Sequence, residues 1–555
     1  MVAPDTISSD RVVEKDTEKG TRVINEVDHD MDLYEKEDTN NFQSGVQRVR
    51  AITSIWSTKT LVIMFILMYL ISFVDVMLYG LLSVVGIVPT ILGGSSKLTL
   101  AKIIDFWGRV EGYLCILLVI TVGLIMKATC KSMEVYTAGH TLYWVGHIGI
   151  SYVIEIMLAD MTSLKNRMIL LGLMGTPGIC TTFAGPKIAG LFYANLDFQW
   201  AFGAFAIILG VSIPMLVVML YMQRKVEKNG VLVKERSGRS WWQSISYYAV
   251  QFDILGIILI TAIFSLILLP FSIAKYAPKG WASGYIIAME VLGVLCIPAF
   301  YCWERFFSPE PTIIGSCLLY CFMFASCDVW NAYFSSFLQV VKRLDITSSS
   351  YVVSIISHTS FFFSPIFGVI IRVTGDFKRI TMAGIPIFLL GTALLIPFRQ
   401  PGSHLGLIIM TQILVGLGSC IFSVCGQLSV MAVVTHQEIA VVLAIWGLFG
   451  SIGASVGYAI AGGMWNNILG PEIQERLPEQ NKHLASTIFS SLVTQISYED
   501  DTPERTAIVG AYGDLQWKMA IVGVFLVPIC IVCTYVWRNV NVKNLLHEQT
   551  SGNIW

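Results

Sequence analysis

This chain is short of charge. Only 14% of its 555 residues are Asp, Glu, Lys or Arg, while 55% are hydrophobic. Soluble domains carry about 25% charged residues, and a single soluble core stops growing near about 250–300 residues. The deficit excludes one large soluble domain and points to a polytopic membrane protein. An excess of either sign is also missing: the net charge is −1, so no broad basic field exists to hold nucleic acid. No Gly-rich, phosphate-cradling Walker loop occurs, which leaves an ion gradient rather than bound ATP as the expected source of energy. The twelve cysteines sit almost entirely in apolar runs, as in "SCLLYCFMFASC" (Ser316 to Cys327), where free Cys acts as a small hydrophobe. None has zinc-type spacing to histidine, and the Cys530/Cys533 pair lies inside an apolar run, so no bare-metal site and no cofactor are expected. The first 58 residues lack the apolar core of a signal peptide. They read as a mostly disordered cytosolic tail, and the first span is expected to insert uncleaved.

Long apolar runs are what the chain has in plenty. A bilayer core about 30 Å thick takes about 20 apolar residues per helix. Runs of that kind predict an all-α polytopic membrane protein of about 14 transmembrane helices. They cover residues 61–79, 81–100, 112–129, 137–158, 168–192, 200–222, 252–274, 284–303, 312–336, 350–373, 380–397, 405–432, 438–463 and 517–537, spans one to fourteen below. The first pair is the ambiguous one, because Leu61 to Leu100 is nearly continuously apolar, broken by Asp75, Gly80, Gly86, Pro89 and the Gly-Gly-Ser-Ser at 93–96. Two spans keep the basic loops on one side. Those loops are 223–240, with six cations, and the pairs Lys165/Arg167, Lys378/Arg379 and Lys102/Arg109. The positive-inside rule makes that side cytosolic, with both tails. Loop 464–516, containing "YEDDTPER", is expected outside. Lys275, Lys279, Lys342 and Arg343 run against the bias.

One charged loop carries a motif. "AKIIDFWGR" (Ala101 to Arg109) joins spans two and three and resembles the loop motif of the major facilitator superfamily, Gly-x-x-x-Asp-x-x-Gly-Arg. Asp105, Gly108 and Arg109 match; Ala101 replaces the first Gly. The resemblance implies a conformational latch. Asp105 would sit at a helix N-terminus of the partner half or pair with Arg109, and Gly108 would allow the tight turn. A weaker copy, "TGDFKR", supplies Gly375, Lys378 and Arg379 after span ten, as an internal repeat would. In span five, "GPKIAG" (Gly185, Pro186, Lys187, Gly190) resembles the Gly-Pro motif of proton-linked exporters of the same superfamily. Its small residues would equally serve close helix packing.

Longer stretches resemble the fungal siderophore-iron transporters, a fourteen-span branch of that superfamily. They are "GVQRVRAITSIW" (Gly45 to Trp56), "YWVGHIGISYVIEIMLADMTSLKNR" (Tyr143 to Arg167), "YFSSFLQVV" (Tyr333 to Val341), "THQEIAVVLAIWGLFGSIGASVG" (Thr435 to Gly457) and "AIVGAYGDLQ" (Ala507 to Gln516). They occur in order, from about residue 45 to 540. The stretch between spans one and two is markedly shorter than the family's. The resemblance implies two six-helix bundles, 59–222 and 304–537, the second including loop 464–516. A basic linker, 223–251, and two extra central helices, 252–303, would join them, and 538–555 would form a cytosolic tail.

Ionisable groups within a membrane are costly and usually functional. Asp75 lies in span one, Glu155 in span four, Glu290 in span eight and Asp328 in span nine. A buried carboxylate has its proton affinity raised by desolvation, so these are the candidates for proton coupling, with a structural partner such as Lys187 as the plainer alternative. A bulky organic chelate would need a wide cavity with aromatic faces and a few polar groups. Span nine offers Trp330, Asn331, Tyr333, Phe334 and Phe337. At helical spacing either Trp330, Tyr333, Phe334 and Phe337 or the opposite set faces the cavity. Tyr512, expected in the outer loop, is a candidate for first contact or gating. His436, Gln437 and Glu438 stand at the cytosolic mouth of span thirteen, suited to proton release or to helix capping. His140 and His147 share a face of span four and read as packed or hydrogen-bonded.

Together these readings imply a proton-coupled secondary transporter that imports ferric siderophores through a fungal plasma membrane or an internal vesicle membrane. The alternatives are an exporter or exchanger of another organic solute and a non-transporting siderophore sensor. Its expected partners are the ferric chelate, protons and the lipid bilayer.

Overall fold

A computed structural model of the chain describes residues 57–82, 87–196, 198–228, 254–274, 277–303 and 310–543. Most of the N-terminal tail with "GVQRVRAITSIW", most of the basic linker, Lys275 and most of the C-terminal tail lie outside the described residues.

Among the described residues each of the fourteen expected spans falls on a helix, the first ending at Leu82 and the second starting at Ile87. Only a helix satisfies every backbone N–H and C=O within one segment, so apolar runs in lipid have no open alternative. Among the described residues, twelve helices are long and apolar enough to cross a membrane. The other two are Ile87–Phe106, which carries Lys97, Lys102 and Asp105, and Ile254–Ile273, whose apolar part is shorter.

The bundles show the same packing twice. Span one (Thr58–Leu82) packs on span five, and span nine (Pro311–Asn331) on span thirteen (Ile439–Met464). Span four (Met133–Met161) packs on two and three, and span twelve (Leu405–Ala432) on ten and eleven. The halves meet through span two against thirteen and span five against ten, two contacts that an internal two-fold would exchange. Span seven packs against span eight and also against two and thirteen, while span eight (Gly284–Trp303) lies chiefly on seven. The repeat expected from the two loop motifs is therefore a repeat of packing.

Several boundaries differ from expectation. The Gly-Gly-Ser-Ser of span two lies inside the helix. A Cβ on Gly93 would stand 2.4 Å from Ile148 Cδ1, and one on Gly94 would stand 2.5 Å from Ser451 Cβ, so the small residues permit close approach to spans four and thirteen within a helix that runs on to Phe106, beyond the expected end at 100. Span five breaks at Thr176–Pro177. Span nine breaks at Ala332–Tyr333 and resumes as Phe334–Val341. Span thirteen continues through a π-helical turn, Trp465–Leu469, into Gly470–Arg476. Span fourteen begins at Pro503, capped by Thr502, which accepts from the Arg505 N–H at 3.3 Å. The expected loop 464–516 thus shrinks to about its middle half, residues 477–502. Tyr512 is a correction: it is a buried helical residue, because Ala507, Ile508, Ala511, Tyr512 and Leu515 form an apolar helical face that Glu504, Arg505 and Asp514 hide from a simple run count.

Candidate functional site

At the basic end Gly108 turns the chain between spans two and three with φ 124°, a backbone that side chains resist. Arg109 then opens span three, almost wholly buried. Its Nε and Nη2 donate to Asp160 Oδ2 and Oδ1 at 2.8 and 3.1 Å, and Nη1 donates to the Ile104 carbonyl at 3.3 Å. Asp105 stands 3.8 Å from Arg109 Nη1. Neither Asp105 oxygen has a hydrogen-bond partner among the described residues, so Arg109 engages Asp160 far more closely than the motif's own acid.

Asp160 also joins the halves. Its Oδ1 lies 3.2 Å from His436 Nε2, at the entrance to span thirteen. Beside it the Tyr152 hydroxyl donates to the Ala440 carbonyl at 2.5 Å. Arg167 donates to the Ala159 and Thr162 carbonyls at 2.8 and 2.9 Å and reaches Met431 Sδ at 3.8 Å. Gly172 and Gly368 bring spans five and ten into backbone contact, where added Cβ atoms would lie 2.6 Å from Pro365 N and 2.7 Å from Ile169 N. This end is closed. Glu438 accepts from the Thr435 N–H and hydroxyl in a capping box, so capping falls to Glu438 and the bridge to His436.

The second motif does something else. Gly375 ends span ten with φ 75°, and Asp376 accepts from the Arg379 N–H at 3.1 Å. Arg379 is exposed and pairs with Asp376 at 3.1 Å. Lys378 donates to the Tyr535 carbonyl at 3.0 Å and to the Trp537 carbonyl. These contacts tie span eleven to the end of span fourteen within one half, and none of those described crosses to the other half.

Between the ends, Asp75 is buried and bound on both oxygens. His147 Nδ1 lies 2.8 Å from Oδ1, and the Ser151 hydroxyl donates to Oδ2 at 3.2 Å. The carboxylate is therefore not isolated. Glu155 follows on the same face of span four, feeling Lys97 of span two and Tyr320 of span nine. Lys97 lies against Gly447 of span thirteen and 5.8 Å from the Tyr152 ring, while Tyr320 stacks on Trp446 with centroids 3.8 Å apart. Asp328 is buried against Gly457 and accepts from the Tyr458 hydroxyl. Glu290, on span eight, sits apart from these groups on the outlying helix pair. Lys187 and Gly190 are exposed, and a Cβ on Gly190 would meet nothing within 4 Å. The "GPKIAG" stretch therefore gives no close packing at Gly190 and no ion pair at Lys187 among the described residues.

The aromatic candidates are packed inside. Trp330, Phe334, Phe337 and Tyr512 are each 0% exposed. Arg399, equally buried, lies 3.6 Å from the Phe334 centroid and 4.6 Å from that of Trp330. It donates to the Trp330 carbonyl at 2.6 Å and to Gln516 at 3.1 Å, capping the broken end of span nine. Tyr333 stacks on Trp465 at 4.0 Å, directly at the π turn. Asn331 is half-buried beside the break. The Tyr512 hydroxyl donates to Gln495 at 2.7 Å. None of the fully buried four faces open space in this conformation. Outside the spans, Arg343 beside Asp500 holds that carboxyl below the usual range and fastens the loop to the end of span nine at 2.9 Å.

Sequence reasoning missed Asp160, Lys97, Tyr320 and Trp446, and read His147 without its partner. A helical signal existed: His147, Ser151 and Glu155 recur every four residues, and so share a face. Their partners come from other spans, which no local pattern reveals.

Comparison with known proteins agrees with this architecture. Residues 51–458 match the family described as Major Facilitator Superfamily. The chain is 56% identical to "MFS siderochrome iron transporter 1" of Ajellomyces capsulatus, over 94% of this chain and 96% of the relative. It is 36% identical to "Siderophore iron transporter mirB" of Emericella nidulans, over 93% and 90%. It is 37% identical to "MFS siderochrome iron transporter B" of Aspergillus fumigatus, over 92% and 87%. The chain belongs to the fungal siderophore-iron transporter family of the major facilitator superfamily, and it is an integral membrane protein.

Proposed function

We propose that the protein imports ferric siderophore chelates into a fungal cell by proton-coupled alternating access. The observation that carries the reading is the closed basic end. Two halves meet there through a few polar contacts, Asp160–His436 and Tyr152–Ala440, over backbone-close glycines. Contacts so few and so directional form in one state and break in another, which is what a bistable carrier needs. The basic end is assigned to the cytosol, so this conformation is shut toward the cell. The substrate class follows the names of the relatives. A chelate arrives with its iron already ligated, so the carrier has to recognise the organic ligand and not the bare metal.

Asp75, Glu155 and Asp328 supply buried carboxylates for protons to ride on. One proton entering a negative interior releases about 2.3 kcal/mol per 100 mV, enough for about 50-fold accumulation of a neutral chelate. Tyr320 and Trp446, beside Glu155 and Lys97 where the halves meet, are better placed for an aromatic contact with substrate than the sealed Trp330 and Phe334. The plasma membrane is the proposed site.

The test is uptake of iron-labelled hydroxamate and catecholate siderophores by yeast stripped of its own siderophore carriers, with and without a protonophore. Protonophore-sensitive accumulation is expected. No uptake of any chelate, with the protein shown at the cell surface, refutes the importer and leaves export or sensing.

A further inference from the structure

A proton-driven importer needs a group that holds a proton at the pH of a cell exterior and gives it up inside. A hydrogen-bonded pair at the centre of the first bundle has the chemistry for both. Asp75 is 2% exposed and the His147 side chain 14%, so the histidine is the more accessible member. Nδ1 lies 2.8 Å from the carboxylate, and Ser151 steadies the other oxygen. Tyr143 stacks over the imidazole at 6.1 Å and Trp144 lies at 5.7 Å.

We propose that His147 and Asp75 act as one site and share the transported proton. Without it the imidazole is neutral, Nδ1–H donates to the carboxylate, and the pair carries −1. With it the imidazolium and carboxylate sum to zero. A buried net charge is expensive to keep from water, and a balanced pair much less so. The loaded pair can therefore be enclosed beneath a bound chelate that shuts it off from water, while the empty pair is carried back only when no chelate covers it. That asymmetry couples proton to substrate. Histidine suits this role because its ring can hold a second proton or give it up while Nδ1–H keeps donating to the carboxylate.

Other ionisable groups face the pair from each packed element. On span three Tyr113 is near Asp75 and donates to the Ser212 carbonyl. Toward the loop end, Lys127 lies 3.2 Å from His140 Nδ1, within the ring cluster that continues through Tyr143 to His147. Toward the basic end stand Glu155 and Lys97, and beyond them Asp160 with His436. Between span one and span five the described polar contacts are uncharged, Ser72 with Met174 and Tyr69 with Thr176. Span four thus presents His147, Ser151 and Glu155 on one face, about 6 Å apart per four residues, a row that leads the proton toward the basic end.

The inference rests on the importer reading, so its test needs two readouts. The first uses purified full-length protein in detergent. Proton uptake on a step from pH 8 to pH 5 is followed with an indicator dye for wild type, His147→Gln and Asp75→Asn. Each variant should take up about one proton fewer than wild type over that step. Equal uptake by wild type and His147→Gln overturns the shared site. The second readout is transport in proteoliposomes. Asp75→Asn, whose pair is neutral without a proton, should lose accumulation driven by a pH gradient by about tenfold or more, yet keep exchange of labelled for unlabelled chelate, which needs no net proton movement. An Asp75→Asn variant that leaves the pH profile unchanged, or depresses exchange and accumulation together, overturns the proposal. A wild type that binds the proton through this pair but moves no chelate overturns the importer reading alone.

Discussion

The closure of the basic end hangs on two polar contacts, and its strength can be worked out. Consider Tyr152→Phe combined with His436→Ala. The Tyr152 hydroxyl bond to the Ala440 carbonyl, fully buried, contributes about 1 kcal/mol net. The His436 bond to Asp160 has an ionised acceptor and contributes about 1.5–3 kcal/mol. The Arg109–Asp160 pair is not in this sum, because both residues belong to the first bundle and stay together when the halves part. The double variant should therefore weaken closure by about 3 kcal/mol, a shift of about 150-fold toward the state open at the basic end. Tyr152→Phe keeps the ring that packs in the core, and His436→Ala trims a side chain at the entrance to span thirteen, so the fold should survive. Hydrogen exchange reads the shift directly, because local opening sets the exchange rate of the protected amides. Peptides covering 104–112 and 436–442 should exchange about 150-fold faster, while those covering 503–520 at the other end should slow or stay unchanged. A uniform acceleration would report global destabilisation instead. A change below about threefold at both basic-end peptides, worth under about 0.7 kcal/mol, would refute the idea that these contacts hold the halves together.

Two further outcomes follow from the same geometry. Gly172→Val would place Cβ 2.6 Å from Pro365 N and 2.8 Å from Ser364 C, backbone atoms that cannot move aside; spans five and ten should spread at a cost of about 1–3 kcal/mol, seen as faster exchange at 364–372 and reduced chelate uptake. The outer loop should be acid-sensitive only at low pH. Arg343 lowers the affinity of Asp500 for protons, so the contact is at full strength above the ordinary aspartate value of about 3.9 and is lost as pH falls through the lower folded value. Limited proteolysis within 477–502 should be flat from about pH 5 to 8 and rise below about 4. Asp500→Asn should be cut at neutral pH as wild type is in acid, a modest effect given that this carboxylate is largely exposed. Neutral-pH protection in the variant equal to wild type would remove the ion pair from the account.

What the sequence revealed, and what it withheld, follows from the range of the forces involved. Apolar run length alone located fourteen helices, because lipid forces each run to satisfy its own backbone. The loop motif located Arg109, because turn, charge and glycine stand within a few residues of one another. Run counting failed at Tyr512, where charges needed by the loop face share a helix with an apolar core face. The larger failures share one cause. Asp160 and His436 are separated by more than 270 residues in sequence and by 3.2 Å in space, and His147 lies 72 positions from Asp75. Each is ordinary on its own helix and gains chemical meaning only when another span supplies its partner. The aromatic run of span nine shows the converse. Trp330, Phe334 and Phe337 look like a binding stripe in isolation. A buried guanidinium from span eleven occupies the faces of Trp330 and Phe334, and through that contact the stripe holds a broken helix together. In a carrier, then, the residues that move protons and halves are those whose sequence neighbours say least about them, because they act between spans.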